Sequence, residues 1–429
     1  MKKIIFRFLI VTLLLIFSFT TYLSTIGIKT DAFNNQIYKE IKKIDDQLEL
    51  DLDKISIILD PLKFKLVLKT IGANLKYKNK LIKLESVRSN IDIKTFVNKE
   101  FSLSEIDINT RTIEIKDLIS LVRSVEDSAQ IFILEKFVKK GFLIADINLK
   151  FDKNGNIKND FIIKGLVKDG EIKPFKKIDF SKINFVFNLR NNKFEFKDIN
   201  LSYDNNNLTF PELDISKQKN QFLISGTNKN KDLILDDKKI NQLLNDELSN
   251  MKIKSAEFDL ENTFSFKINN KYKINDLQIS SLLSLKNFTL VSSKYLKEFF
   301  PKLNEIIKLS NHQIQIEYKK GLLNIKGNGN ILFQKENDSI KYNFLKSKKN
   351  LKFDTLLKIK NNPFHLNFLN FKNDESGKLE IIILGDKNLL SNEINLKNIS
   401  IREKNNKFEV KDLSLSNKYK IKSFNRVNL

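Results

Sequence analysis

The stretch NNKFEFKDINLS, from Asn191 to Ser202, returns 214 positions later as NNKFEVKDLSLS, from Asn405 to Ser416, with nine of twelve residues identical. Side chains along a strand alternate between its two faces. Phe194 and Phe196 therefore share one face of the first copy. The phase slips at Lys197-Asp198, after which Ile199, Leu201 and Tyr203 carry the apolar pattern. The second copy slips at the same place: Phe408 and Val410, then Lys411-Asp412, then Leu413 and Leu415. A slip of one residue sends a pattern to the opposite face unless the backbone absorbs it in a bulge or a corner. What repeats is a geometric unit of Asn-Asn turn, short strand, corner and short strand. Repetition of such a unit marks a stacked, quasi-one-dimensional architecture. Duplication inside a compact sandwich is the alternative.

The remainder of the sequence fits a mainly β chain. From Gly141 onward, apolar-polar alternation recurs in runs spaced about 8 to 14 residues apart. Turns are expected at Asp152 to Gly155, Asn191-Asn192, Asp204 to Asn207, Asn269-Asn270, Lys319 to Gly321, Gly327 to Gly329 and Lys404 to Asn406. Asp152-Lys153-Asn154-Gly155 has its glycine fourth, whereas a calcium loop needs it sixth, so it reads as a hairpin turn. Two helical interruptions are expected, Asp236 to Leu248 and Lys294 to Leu309, the second broken or kinked by Pro301. Before Gly141, KISIILDPLKFKLVLKTIGANLKYKNKLIKLESVRSNIDI reads as strands broken near Pro61, Gly72 and Asn79. Two helices flank it. The first is amphipathic, with Phe33, Ile37, Ile41, Ile44 and Leu48 at helical spacing. The second runs from Lys116 to Lys140, burying Leu118, Val122, Val125, Phe132 and Phe137, with Gly141 just past its C-terminal end.

The N-terminus, MKKIIFRFLIVTLLLIFSFTTYLSTIGIK, sets Lys2, Lys3 and Arg7 ahead of an apolar run of 21 residues, Phe8 to Ile28. About 20 residues span the hydrocarbon layer as a helix. No A-x-A cleavage pattern follows, so the run reads as an uncleaved signal anchor. The preceding cations place the N-terminus in the cytoplasm and the rest of the chain across the membrane. The net charge of +23 comes mostly from Lys dispersed along the chain, with Arg scarce. It forms no basic stripe of the kind that tracks nucleic-acid phosphates, and it suits an anionic membrane surface better.

Nothing in the chain suggests catalysis. The absence of Cys excludes thiolate chemistry and disulfides. There is no G-x-S-x-G, phosphate loop or H-E-x-x-H. The two histidines, His312 and His365, read as ordinary strand or turn residues. No catalytic residue, cofactor or metal ligand is nominated.

Function must then lie in the apolar faces. Phe185, Phe187 and Leu189 alternate with Val186, Asn188 and Arg190. An apolar face of this extent needs a second sheet, closure on itself or an apolar ligand. Candidate lining residues are Phe185, Phe187, Leu189, Phe194, Phe196, Ile199, Leu201, Phe408, Val410, Leu413 and Leu415, either of a lipid groove or of a sandwich core.

The order of parts (anchor, amphipathic helix, strands of the form ISIILDPLKFKLVLK, then hairpins of the form GNIKNDFIIKGLVKDGEI and NNKFEFKDINLS) resembles the AsmA-like family of Gram-negative envelope proteins, which are of AsmA/TamB type. The resemblance covers most of the chain and rests on patterns of alternation. It implies an anchor over 1–28 and a chorein-like α+β region over 29–140. It further implies an elongated, curved, antiparallel repeating β-groove over 141–429 with a few interrupting helices. The implied protein crosses the inner membrane once through residues 8–28, with its bulk in the periplasm. It binds phospholipid acyl chains, meets envelope proteins, and serves phospholipid transport between the two membranes or outer-membrane homeostasis. A non-enzymatic scaffold or assembly factor with a closed β core is the alternative.

Overall fold

The computed structural model describes the chain except for residues 1, 32–33, 36–37, 39–41, 43–46, 78–79, 95–102, 126–128, 155, 157, 176–177, 205, 245–251, 272, 368–370, 374–376, 405, 418–419 and 429. The protein is mainly antiparallel β. It divides into two compact units, Met1–Asn205 with Asp214–Lys217, and Asn206–Leu213 with Gln218–Leu429.

The first unit opens with helix α1 (Lys2–Thr25), whose stretch Lys3–Thr25 is long and apolar enough to cross a membrane. The strands that follow are β1 (Ile28–Thr30), β2 (Leu48–Asp51), β3 (Ile55–Asp60), β4 (Lys65–Ile71), β5 (Asn74–Tyr77), β6 (Lys80–Asp92), β7 (Leu103–Thr110) and β8 (Ile113–Glu114). Helices α2 (Ile115–Val125) and α3 (Ala129–Phe137) lead to β9 (Val138–Lys150), β10 (Ile162–Phe175), β11 (Ile178–Arg190) and β12 (Lys193–Tyr203). The main ladder runs β1-β3-β4-β6-β7-β9-β10-β11-β12, with β2-β5 attached to β6 and β8 to β9. The expected breaks near Pro61 and Gly72 hold, while Asn79 lies outside the described residues.

Phe33, Ile37, Ile41 and Ile44 lie outside the described residues; Asn34, Asn35, Tyr38 and Lys42 are helical, and Leu48 already begins β2. The block Lys116 to Lys140 is two helices and the start of a strand. Ile119 and Val138 are buried and Leu118 packs on a core of Ala73, Ile82, Leu84 and Ile113, but Val122 and Phe132 are exposed, Phe137 is half-buried, and the side chain of Val125 is outside the described set. Gly141 is no helix cap. It sits inside β9, where an added Cβ would lie 2.8 Å from Ile115 Cδ1 and 3.1 Å from Gly170 Cα. Close packing of α2 on the sheet, not helix termination, explains this glycine.

The second unit contains β14 (Gln221–Asp236), α4 (Asp237–Leu244), β15 (Ile253–Asn269), β16 (Ile274–Val291), a 3₁₀ turn over Lys294–Glu298, β17 (Ile306–Lys319), β18 (Leu322–Leu332), β19 (Asp338–Lys346) and β20 (Asn350–Ile359). A small hairpin, β21 (Phe364–Leu366) with β22 (Phe371–Asn373), precedes β23 (Leu379–Asn388), β24 (Ile394–Glu403), β25 (Asn406–Leu415), β26 (Ile421–Ser423) and β27 (Arg426–Asn428). The unit boundary falls within β13 (Asn206–Gln218). Each strand from β14 to β20 pairs with its sequence neighbour. The ladder continues through β23, β24 and β25, and β26 and β27 both pair with β25. The helix expected from Lys294 to Leu309 is a single 3₁₀ turn, because Ile306 onward pairs with β16 and Lys308 onward with β18. Nor do Gly327 to Gly329 form a turn: both glycines lie within β18, where the Tyr342 ring and His312 fill the space their Cβ atoms would need.

The phase slip is a bulge. Lys197 faces Val186 and Asn200 faces Asn184, so β12 spends three residues where β11 spends two. Asp198 sits at φ 53°, a left-handed conformation that Asp tolerates better than most residues. Taking up that residue keeps Ile199, Leu201 and Tyr203 on the face of Phe194 and Phe196. Beyond it, Tyr203 meets Phe180 with ring centroids 5.5 Å apart. Asp412 repeats the conformation at φ 54°. Two further strand Lys-Asp pairs behave alike, with Asp169 at 51° and Asp232 at 54°. Side chains two residues on stabilise the corner: Asn200 Nδ2 donates to the Asp198 carbonyl at 3.0 Å, and Asn184 Nδ2 donates to that of Lys182 at 2.8 Å.

Candidate functional site

In the first unit, strand register assembles an apolar face. Phe187 lies opposite Phe196 and Leu189 opposite Phe194 on one side, while Phe185, Phe187 and Leu189 face Val167, Gly165 and Ile163 on the other. Those in turn face Leu143, Ala145 and Ile147. Phe187, Ala145 and Val167 are buried, and Phe185, Leu189 and Phe196 pack around them half-buried. The Phe185 ring stands edge-on to Phe196 at 5.7 Å. Of the seven candidates in this unit, the register thus unites Phe185, Phe187, Leu189, Phe194 and Phe196. Ile199, which is buried, and Leu201, half-buried, continue the face past the bulge.

The second unit repeats the design with longer rows. Ser281, Ile316, Ile325, Phe344, Phe353, Gly385, Leu396 and Leu413 stand directly opposite one another, strand after strand from β16 to β25. The apolar members of that row are all half-buried. The other candidates fall beside it: Phe408 opposite Ile401, Val410 opposite Ile399 and Leu415 opposite Ile394. Sequence reasoning missed Ile316, Ile325, Phe344 and Phe353, although the alternation of YNFLK and LKFDTLL was the signal for two of them.

One device recurs on both faces. A strand glycine stands opposite an aromatic ring at Gly165–Phe187, Gly226–Phe264, Gly327–Tyr342 and Gly385–Phe353. In each pair an added Cβ would come within 3.0 Å of the ring. The ring therefore lies down on the neighbouring backbone, which satisfies a strand glycine and lowers the floor of the face.

One end of the second face is closed. Phe300, Leu303, Ile307, Ile331, Phe333, Phe364, Leu366 and Ile381 form a packed core around Ile359 and Leu379, which are 1% and 0% exposed. Polar bonds clamp it: Gln334 Nε2 donates to the Pro363 carbonyl at 2.7 Å, and Asn362 Nδ2 to Asp338 Oδ2 at 2.9 Å. Burial raises the Asp338 pKa. Nearby on β17, His312 is buried with Nε2 3.2 Å from Tyr342 Oη. Burial lowers the imidazole's pKa and pushes the phenol up to about 12, so it favours the neutral form of each. With His312 buried and Tyr342 half-buried, the pair suits a structural role. His365 is the central residue of β21.

The opposite faces carry the charge, paired across strands as Lys229–Glu261 and Lys358–Glu380. Lys286 bonds to both Asp232 and Asp259, which raises its pKa. At Asp152 the amides of Asn154 and Asn156 donate to one carboxylate oxygen at 2.8 and 2.9 Å, the bonding of a turn. Among the described residues no group of three or more His, Asp or Glu could hold a metal ion. No family model, curated protein or solved structure matches this chain.

Proposed function

We propose that this is a membrane-anchored lipid-binding protein of AsmA-like type, in which the half-buried rows form a repeating groove for phospholipid acyl chains. The carrying observation is the row Ile316–Ile325–Phe344–Phe353. Four successive strands present large apolar side chains to the same side, yet none reaches the burial of the adjoining core. Apolar surface left in this state gains about 25 cal/mol for each Å² that an acyl chain removes from water. Helix α1 supplies the anchor, with the N-terminus cytoplasmic and the bulk periplasmic in an inner membrane. The role this supports is phospholipid transport between membranes or outer-membrane homeostasis, with no catalytic step.

A photo-crosslinking amino acid at Phe196 or Phe353 of the full chain, in its native membrane, tests the reading. Phospholipid adducts at both positions, and none at outward-facing Asn343, are expected. Adducts absent from both positions sink it. The closed core around Leu379 favours the second reading, a scaffold with a dry interior, and crosslinks only to protein would select that one.

A further inference from the structure

Where α1 meets the first sheet, the chain is tightly fixed. Gly27 (φ +73°) follows the helix, and a Cβ there would lie 2.5 Å from the Ile57 carbonyl oxygen. β1 then runs antiparallel to β3, with Ile28 opposite Ile57 and Thr30 opposite Ile55. β3 therefore runs back toward the helix. Its end reaches the last turn of α1: Ser24, Leu59, Asp60, Pro61, Lys69 and Arg88 together line a cavity of about 370 Å³. The β3–β4 hairpin tip, Pro61-Leu62-Lys63-Phe64, thus stands beside the end of the apolar helix.

That tip is built to show apolar side chains to its surroundings. Leu62 is 95% exposed and Phe64 62%. Phe64 is held at φ 53°, a conformation that bulky side chains rarely take. Its carbonyl accepts from Ile93 N–H at 3.3 Å, and Asp60 Oδ1 accepts from Lys63 N–H at 3.1 Å, so the turn is braced. Behind it, Lys69 and Arg88 stand directly opposite each other on adjacent strands. Like charges so placed repel. On its other side Arg88 stands opposite Asp107, but among the described residues no ion pair within 4.0 Å joins either cation to a carboxylate.

We infer that the β3–β4 hairpin is a second membrane contact, inserting Leu62 and Phe64 into the boundary between headgroups and acyl chains beside α1, with Lys69 and Arg88 at the level of anionic headgroups. The inference rests on α1 spanning the bilayer. An apolar run of this length places Ser24 near the hydrocarbon edge, and the hairpin reaches that depth. Two contacts on one rigid junction fix the orientation of the first sheet to the bilayer, which a single helix leaves free to swivel.

The chain has no Trp, so an introduced one reports alone. Leu62→Trp is made in the full chain and reconstituted in vesicles of phosphatidylethanolamine and phosphatidylglycerol. Phe17→Trp, within α1, and Leu390→Trp, at an exposed turn of the second unit, serve as references. The expected result is a blue-shifted Leu62→Trp emission, quenched at least twofold more by shallow-brominated lipid than Leu390→Trp and resistant to aqueous iodide. Iodide quenching equal to that of Leu390→Trp overturns the inference. So does a blue shift without quenching by brominated lipid, which would assign the tip to packing within the chain or against another copy of it. Loss of lipid quenching in Phe17→Trp removes the spanning helix and the inference with it. Quenching of Phe17→Trp alone removes only the hairpin contact.

Discussion

The two copies of the twelve-residue unit are nearly the same text in different surroundings. Both hold the Asp of Lys-Asp near φ 53°. In the first copy the extra residue is visible against the neighbour, because β12 gains one residue on β11 and Lys182, at φ 50°, returns it further along. In the second, β25 stays in step with β24, and the extra residue appears between β24 and β23 instead, between Leu396 and Asn398. The first copy's Phe196 joins a half-open apolar face; the second copy's Phe408 packs against the closed core around Ile401. Local sequence thus dictates the backbone conformation. Register, and whether an apolar side chain is covered, are decided by strands distant in sequence.

The contrast between open face and closed core breaks most visibly under truncation. Leu379→Ala removes a side chain with no exposure and leaves a cavity, so a loss of about 3 kcal/mol is expected from the second unit. Phe196→Ala deletes a half-buried ring, for which about 1 kcal/mol is expected. Urea unfolding of each variant checks both values. Equal losses would mean that the first face is as closed as the core. In the presence of phospholipid, the penalty for Phe196→Ala should grow while that for Leu379→Ala stays constant.

The next effect should be the same in both copies, because it resides in the backbone. Asp198→Val and Asp412→Val each force a β-branched residue into the left-handed region, at a cost of about 1–2 kcal/mol. Asp198→Gly should change stability by under about 0.5 kcal/mol, since glycine adopts that conformation freely. Unfolding midpoints measure these directly. If Asp198→Val costs no more than Asp198→Gly, the positive φ is not what holds the corner.

These corners show how far the sequence could be read. At Lys197-Asp198 and Lys411-Asp412 apolar residues flank both sides, so the slip is visible. At Lys231-Asp232 the run before it carries Asn228 and Asn230, so no phase exists to slip; at Lys168-Asp169 the following Gly170 hides it. Strands were legible because alternation is a local property. The aromatic partner of Gly327 lies 15 positions away, and β17 needs two neighbours to outweigh the helical spacing of Leu303 and Ile307. The candidate lining was legible as apolar faces only, because burial depends on which strands arrive to cover them.

The smallest effect sharpens the comparison by its sign. Each copy contains Lys-x-Glu, and in each the Lys holds the carboxyl pKa below its ordinary value: Lys193 beside Glu195, and Lys407 beside Glu409 at 3.0 Å. Asn188 and Asn428 donate to the same two groups. A lowered carboxyl pKa contributes stability at pH above the unfolded value, near 4.3, and loses it as pH falls through the folded one. Glu195→Gln and Glu409→Gln should therefore lower Tm at pH 7, each by no more than about 2 °C, and match the parent protein near pH 3. The two copies should shift alike, because each carboxylate feels a second cation, Arg190 at Glu195 and Lys411, 3.7 Å away, at Glu409. Buried Asp338 carries the opposite sign. Its raised pKa favours the fold at low pH and loses that contribution as pH rises. An acid titration of Tm should accordingly weaken both copies while sparing the clamp at the closed core. A clamp that loosened first on acidification would show that Asp338 is held as a carboxylate by Asn362 and the Lys360 amide, and that its hydrogen bonds outweigh its burial.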